Sequence, residues 1–390
     1  MLRQILIGLS GPGLLIAGDA SAQSVTRRDS AGVHIVEVPA TALAALPTWR
    51  LEGPTVRIGP DKGGLEYEFN YASSPWRLTD GRIVMANNQA ELRFFDSTGR
   101  YLNTVGRRGR GPGEYEQLLR VFRIPGDTLL VWEFPMSRID VRDATGKLVK
   151  SFTIPRASVF AGLGGKGAVF EEYQLPDRRK RGVRQDTVVL RQLHPDGTAG
   201  AVVARLPGGW TEILSNYDWR GVPLSGGMIL AGNTRSTVYV QGDAFTAYWF
   251  GDNARLETIT RVQLPRTRVT AAEKRGDEQR RSDLAARNPQ VRVDPGQAPP
   301  AYGSHLPQVT RVVIDIEGRA WVRRWARYAA RFAEWIVLAP HGAPIARITM
   351  PAALAPNDIG SDYLLGILPD GDGVQSIHGY RIVRAVPGRP

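Results

Sequence analysis

Val105-Gly106-Arg107-Arg108-Gly109-Arg110-Gly111-Pro112-Gly113-Glu114-Tyr115-Glu116 is the second copy of a unit. A fainter copy, Ile58-Gly59-Pro60-Asp61-Lys62-Gly63-Gly64-Leu65-Glu66-Tyr67-Glu68, stands before it, with Tyr67 preceding Tyr115 by 48 positions. Each copy follows a short strand-like run and precedes a new hydrophobic one. Self-similarity at a period in the forties marks a repeat architecture, in which each repeat buries its apolar faces only by stacking on its neighbours.

Working outward, the strand signals are short, alternating and bounded by Gly, Pro, Asp and Asn. Trp76 to Leu78, the turn Asp80-Gly81 and Arg82 to Ala86 read as one hairpin. Glu91 to Phe95, the turn Asp96 to Gly99 and Arg100 to Val105 read as a second. This second hairpin recurs at Asp143 to Gly146, His194 to Gly197, Gly251 to Asn253 and Ala339 to Gly342. The Gly or Asn in each supplies the positive φ that a tight turn requires. The inner hairpin turn recurs as Pro125-Gly126-Asp127, Ser225-Gly226-Gly227, Glu317-Gly318 and Asp370-Gly371.

The units then run over about 75–121, 122–155, 159–208, 222–265 and 306–350, with a sixth from near Asp362 that has three strands. Its three runs are Tyr363 to Leu368, Gly373 to Ile377 and Tyr380 to Val386. The missing outer strand is the run Thr55 to Ile58 before the first repeat copy. Pairing the two ends of the chain closes a ring and removes exposed sheet edges.

Thr270 to Asn288 breaks the strand pattern. It is charged and favours helix, with Thr270 and Glu273 spaced as a capping box. A Pro-rich stretch follows, so residues of about 266–305 form a helical insertion between the fourth and fifth units. Its plain role is a surface excursion; its functional role would be a lid over one end of the ring.

Composition narrows the class. The chain has 390 residues, 42% hydrophobic and 23% charged, normal for a globular protein. Residues 1–22 have the order of a secretory leader: Arg3, the apolar run Ile5 to Ala17, then Ala20-Ser21-Ala22 as a cleavage site. The expected mature chain starts near Gln23 as a single domain over 23–390, periplasmic or extracellular. No later window is long and apolar enough for a membrane-spanning helix. Cysteine is absent (Cys 0), which excludes disulfides, thiolate metal sites and a cysteine nucleophile. The formal net charge is +12, with Arg scattered along the chain. That balance favours a solvated basic surface and, second, acidic partners.

Four-stranded units with D-G turns and N-terminal closure resemble six-bladed β-propellers of the NHL-like group. Similarity is greatest to secreted bacterial six-bladed propeller proteins of no assigned activity. It rests on Phe95-Asp96-Ser97-Thr98-Gly99-Arg100 and on Gly106 to Tyr115, matching an "FD..GK" hairpin that leads into "G..G.GPGE" and an aromatic residue. Asp362-Tyr363-Leu364-Leu365-Gly366 with Tyr380-Arg381-Ile382 also looks like that family. The resemblance implies an all-β fold: a six-bladed β-propeller closed by the N-terminal strand, with the helical insertion between blades four and five. It implies little about activity, since one such fold hosts binders, lyases and hydrolases.

Candidate site residues are few. Arg107, Arg110 and Glu114 sit on the Gly-rich loop. They read first as an inter-blade turn, with Glu114 bonding nearby amides and Tyr115 packing between blades. They read second as an anion cradle. The loop lacks the Gly-Lys-Ser/Thr of a P-loop. Asn216, Asp218 and Trp219 join amide, carboxylate and aromatic surface just before blade four, where they serve either ligand binding or blade packing. Of the five histidines, His305 is the best placed for a ring mouth. No metalloprotease, serine-hydrolase or EF-hand motif occurs.

The expected function is a monomeric ligand- or protein-binding platform without catalysis or cofactor. Its partner would be an acidic cell-envelope polymer, a protein or a small molecule rather than nucleic acid. The alternative is a metal-dependent lactonase-like hydrolase or a lyase at the channel mouth. The propeller resemblance implies a divalent metal held there by residues from separate blades. Glu171, Glu172, Asn216, Asp218, Asn233 and Asp315 are the candidates.

Overall fold

Burial in the first complete sheet already dictates the architecture. Its second strand, Ile83–Asn87, is buried at every position, whereas its outermost strand, Tyr101–Val105, is half-buried at the ends and exposed between them. A strand with both faces covered belongs to a sheet stacked between two others. The same gradient recurs in blade two, from the buried Thr128–Glu133 to the exposed Leu148–Thr153. The computed structural model describes residues 24–385, apart from 89, 135, 155–157, 165–166, 174–179, 195, 216–217, 252–253 and 288–298.

Six antiparallel blades form the ring. Their innermost strands are Ser73–Arg77, Leu118–Ile124, Ser158–Gly164, Met228–Gly232, Val309–Ile314 and Ala355–Ile359. Each blade follows the last around the axis, and the innermost strands of blades six and one also touch. The cores lie between sheets. Leu78, Val84, Leu92 and Phe94 of blade one, for example, pack on Leu118, Val121, Leu129 and Val131 of blade two.

Closure is by the chain start, as the sequence led us to expect. Thr48–Ile58 pairs antiparallel with Gln375–Val383, in a register that sets Ile58 opposite Ile377 and Arg57 opposite His378. The first residues of this closing strand also pair in parallel with blade five, Thr48 with Arg347 and Trp49 with Ile348. Blades five and six thereby share one eight-stranded sheet. The turn of blade one packs against the closing strand. A Cβ at Gly99 would lie 2.8 Å from Ile58 Cγ1, and Gly99 has φ of 83°.

Two sequence assignments are corrected, and a third feature is new. Ser225-Gly226-Gly227 leads into the innermost strand of blade four, and the turn after that strand is Asn233 to Ser236. In blade six the innermost strand is Ala355–Ile359; Asp370-Gly371 joins the second and third strands, Tyr363–Pro369 and Gln375–Val383. Pro356 disguised that innermost strand. Proline is tolerated there because one edge of an innermost strand faces the channel and needs no ladder donor. Third, an N-terminal hairpin, Thr26–Ser30 and Val33–Pro39, extends blade four. Val33–Pro39 pairs in parallel with that blade's outer strand, Leu256–Gln263.

The insertion contains the helix Ala271–Arg287. Its capping box forms: the Glu273 amide reaches Thr270 Oγ1 at 3.5 Å and the Thr270 amide donates to Glu273 Oε2 at 3.2 Å. The helix is tied to the loop after blade five's second strand. Arg327 pairs with Glu273 at 3.2 Å, and the Tyr328 hydroxyl donates to Asp283 at 2.9 Å.

Candidate functional site: the axial arginines

The Gly-rich loop that decides the fold proves to be a joint. Arg107 and Arg108 make a two-residue parallel ladder with Glu114 and Tyr115. Glu114 accepts the Gly111 amide at 2.9 Å and pairs with Arg107 at 2.7 Å. The Gly111 amide, then Arg107, hold its carboxyl below the usual carboxylate range. Arg110 pairs with Glu116 at 2.7 Å.

Tyr115 is fully buried. Its hydroxyl donates to Asp140 at 3.0 Å and accepts from Arg142 Nε at 2.7 Å. In the first copy, the Tyr67 hydroxyl accepts the Tyr101 amide at 2.9 Å, and Arg93 clamps the carbonyls of Leu65, Glu66 and Glu68. Arg138 does the same for the carbonyls of Gly111 and Glu114 in the second copy. The repeated unit is thus a buckle between blades. The charges of Arg107 and Arg110 are answered by their own glutamates.

The other sequence candidates stand on separate elements. Asp218 is exposed, and its amide donates to Ser215 Oγ at 3.1 Å. Trp219, 44% exposed, lines a hollow of about 310 Å³ with Trp210, Asp186, Thr211 and Met228. Asn216 lies outside the described residues, as do the side chains of Glu171 and Glu172. His305 sits beyond the insertion, with Nδ1 3.0 Å from Ser304 Oγ and a backbone bridge to Arg268. The structure therefore gathers Arg107, Arg110 and Glu114 in one loop and does not bring Asp218, Trp219 or His305 to it.

A buried serine–histidine pair exists beneath the closing strand, with Ser376 Oγ 2.8 Å from His378 Nε2. The other ring nitrogen faces the Tyr380 hydroxyl at 3.3 Å rather than a carboxylate. Both residues are less than a tenth exposed. Burial, then the Arg57 charge, push the imidazole down. The pair serves packing, since nothing orients or exposes it as a nucleophile and base.

Sequence reasoning missed the cluster at the axis. Blades two and five are three steps apart in a ring of six, so their innermost strands face each other. Arg120 lies on one and Arg311 on the other, and Arg323 stands directly opposite Arg311 across the ladder of blade five. Arg311 donates to the Pro356 carbonyl at 3.2 Å, and Arg323 to the Ala352 carbonyl at 3.0 Å. Among the described residues neither pairs with a carboxylate, and the Arg323 Nε is buried without a hydrogen-bond partner. The exposed Arg120 carries its guanidinium 5.9 Å from the Phe122 ring centre.

Like charges directly opposite on a ladder repel. Burial, then the Arg120 and Arg323 charges, push the Arg311 guanidinium down to about 10. Burial lowers Arg323 as well. At neutral pH Arg311 and Arg323 stay charged. Nearby arginines contrast with these: Arg123 pairs with Asp127 at 3.3 Å, and Arg319 with Asp315 at 2.6 Å. Asp358, on the innermost strand of blade six, is held through one oxygen, while its Oδ1 lies 3.8 Å from Arg123 without a hydrogen bond. Its Oδ2 accepts from the Arg77 amide at 2.8 Å and the Tyr363 hydroxyl at 2.9 Å.

Among the described residues, no three histidine, aspartate or glutamate side chains gather where a metal ion could sit. The metal candidates Asn233 and Asp315 serve turns. Asn233 Oδ1 accepts the amides of Arg235 and Ser236; Asp315 takes Arg319 and the Trp321 indole. These residues do not fit a divalent ion.

Residues 74–179 match the family model described as a 6-bladed beta-propeller. A protein from Bacteroides fragilis described as exported is similar in structure, with a TM-score of 0.51 at 11% identity over 90% of this chain and 100% of its own. The calcium-binding protein regucalcin from Agrobacterium tumefaciens gives a TM-score of 0.40 at 13% identity, over 86% of this chain and 96% of its own. No curated protein matches the sequence. The protein is a six-bladed β-propeller.

Proposed function

We propose that this six-bladed β-propeller is an exported binding platform that takes an acidic ligand at the axis of its ring. The observation that carries the reading is the pair Arg311 and Arg323. Their guanidinium groups are desolvated and set opposite each other, and among the described residues neither pairs with a carboxylate. Such an arrangement opposes folding, and a bound anion relieves it. The blades act as the rigid scaffold that holds the pair, with the closing strand locking the ring. Export rests on the leader-like first 22 residues and on the exported protein that shares the fold. Among the described residues no helix is long and apolar enough to cross a membrane.

The lactonase-like alternative needs donors that converge on a metal. Cationic side chains at the axis disfavour a divalent ion there.

Thermal unfolding of the chain from Gln23 tests the reading, with panels of acidic compounds and of Ca²⁺, Mg²⁺, Mn²⁺ and Zn²⁺. A ligand at a hundred times its Kd adds about 2.7 kcal/mol. The expected result is a raised Tm with acidic compounds, lost in Arg311→Met. A stoichiometric metal that raises Tm, together with metal-dependent lactone hydrolysis, would overturn it.

A further inference from the structure

We infer that the hollow between blades three and four is a binding site for a neutral sugar, stacked on Trp219 and Trp210. None of the axial arginines lines it, so the inference goes beyond the acidic-ligand reading and does not depend on it.

The hollow has a volume of about 310 Å³, at the lower end of the range for small-ligand pockets. One wall is the edge of blade three. There Trp219–Gly221 pairs with the end of Ala199–Ile213, setting Gly221 opposite Thr211 and Trp219 opposite Ile213. The other wall is the entry to blade four, with Ser225, Gly227 and Met228.

Three features favour a sugar. The first is aromatic surface. Trp219 is 44% exposed. Trp210 is fixed: its indole N–H donates to Asp243, whose other carboxylate oxygen accepts the Gly226 amide. A hexose presents a face of weakly positive C–H bonds, which the negative face of an indole attracts. An indole already held in place loses little freedom when a ligand stacks on it.

The second is the polar lining. Thr211, 6% exposed, donates its hydroxyl to Asp186 Oδ2 at 2.6 Å. Asp186 Oδ1 stands 3.9 Å from Arg184 Nε and makes no hydrogen bond among the described residues. It is therefore open to a sugar hydroxyl, and a carboxylate is a strong acceptor for one. Arg184 answers the charge of Asp186, and among the described residues no other charged side chain lines the hollow. That balance suits a neutral ligand better than an anion or an ammonium group.

The third is bare backbone. Gly209, Gly221 and Gly227 all line the hollow, and a Cβ on any of them would meet nothing within 4 Å. Glycine in or beside a strand lets a ligand come close to the main chain. Amides and carbonyls there match a molecule with a hydroxyl on most of its carbons.

Titration of the full chain with neutral trisaccharides of glucose, galactose, mannose and N-acetylglucosamine, followed by saturation-transfer NMR, is the test. At least one should bind. Trp219→Ala should weaken binding about tenfold, from the lost stacking. Gly221→Leu builds a side chain into open space, and Gly221 is not in the left-handed region. The Tm should therefore hold, while binding falls about tenfold or more from overpacking the hollow. Phe332→Ala removes a more exposed ring, 57%, from the third strand of blade five and should change nothing.

Equal loss in Phe332→Ala would reduce the effect to exposed aromatic surface and overturn the site. Trp219-dependent binding of choline, with none of the sugars, would overturn the sugar assignment. Binding unchanged in both Trp219→Ala and Gly221→Leu would put the sugar elsewhere and overturn the inference, as would failure of every sugar. The acidic-ligand reading stands or falls separately, on the acidic panel and Arg311→Met.

Discussion

Replacing Arg311 by methionine should stabilise the ligand-free protein. The guanidinium sits at about 10, well below its ordinary value. At ~1.4 kcal/mol per pH unit, the charged form is disfavoured on folding by about 3 kcal/mol. Methionine fills a similar stem volume and carries no charge. Against that gain stands the bond to the Pro356 carbonyl, 3.2 Å long, whose loss costs about 1.5–3 kcal/mol for a charged donor. The net expectation is between zero and about 2 kcal/mol in favour of Arg311→Met, or a Tm higher by up to ~3 °C for a chain of this size.

Urea unfolding in chloride buffer at pH 7 measures it. The sign of the pH dependence follows from the same shift. Above about 10, up to the ordinary arginine range, the unfolded chain holds the proton that the folded chain has released, so wild-type stability rises there. The advantage of the variant is therefore full below about pH 10 and shrinks above it. An acidic ligand bound at the axis should reverse the order by stabilising the wild type alone. A variant less stable than wild type by 1 kcal/mol or more in chloride buffer would refute the reasoning, because Arg311 would then be compensated without a ligand.

Two further outcomes follow from the joints. Tyr115→Phe removes a fully buried hydroxyl that links Asp140 and Arg142, and should cost about 1–3 kcal/mol in urea unfolding; an effect below about 0.5 kcal/mol would mean the buckle is not a structural joint. Gly99→Ala puts a methyl 2.8 Å from Ile58 on the closing strand, at a φ of 83°, and should cost about 2–4 kcal/mol from left-handed strain and overpacking together. Loss of amide protection confined to residues 48–58 and 375–383 would trace the cost to closure; unchanged stability would say that the turn does not press on that strand.

Wherever the determinant was local, the sequence was readable. Asp96, Asp143 and Asp196 each mark the turn before an outer strand. In each, the carboxylate accepts the amide two residues on, and Asp96 and Asp143 also accept the amide four residues on. Aspartate and glycine at that spacing make such a turn in almost any setting. Thr270 and Glu273 likewise cap their helix from four consecutive residues. The closing strand was legible because its copy of the Gly-rich loop repeats the one that follows the outer strand of blade one.

Parallel pairing was not legible. Val33–Pro39 joins Leu256–Gln263 with no turn between them, so no hairpin signature exists to find. The innermost strand of blade six was hidden by Pro356, which ordinarily argues against a strand. The Gly-rich loop attracted a binding reading because its arginines stand in a row. Only the folded chain shows Glu114 and Glu116 turned back to meet them.

Repeat period, turn chemistry, helix cap and ring closure were thus in the chain itself, since each depends on backbone preferences within a few residues or on a unit that copies itself. The trio Arg120, Arg311 and Arg323 was decided by tertiary structure alone. Nothing in the neighbourhood of Arg120 distinguishes it from the other scattered arginines. It acquires meaning when a ring of six blades sets blade two opposite blade five, where the charge of the exposed Arg120 acts on the desolvated Arg311.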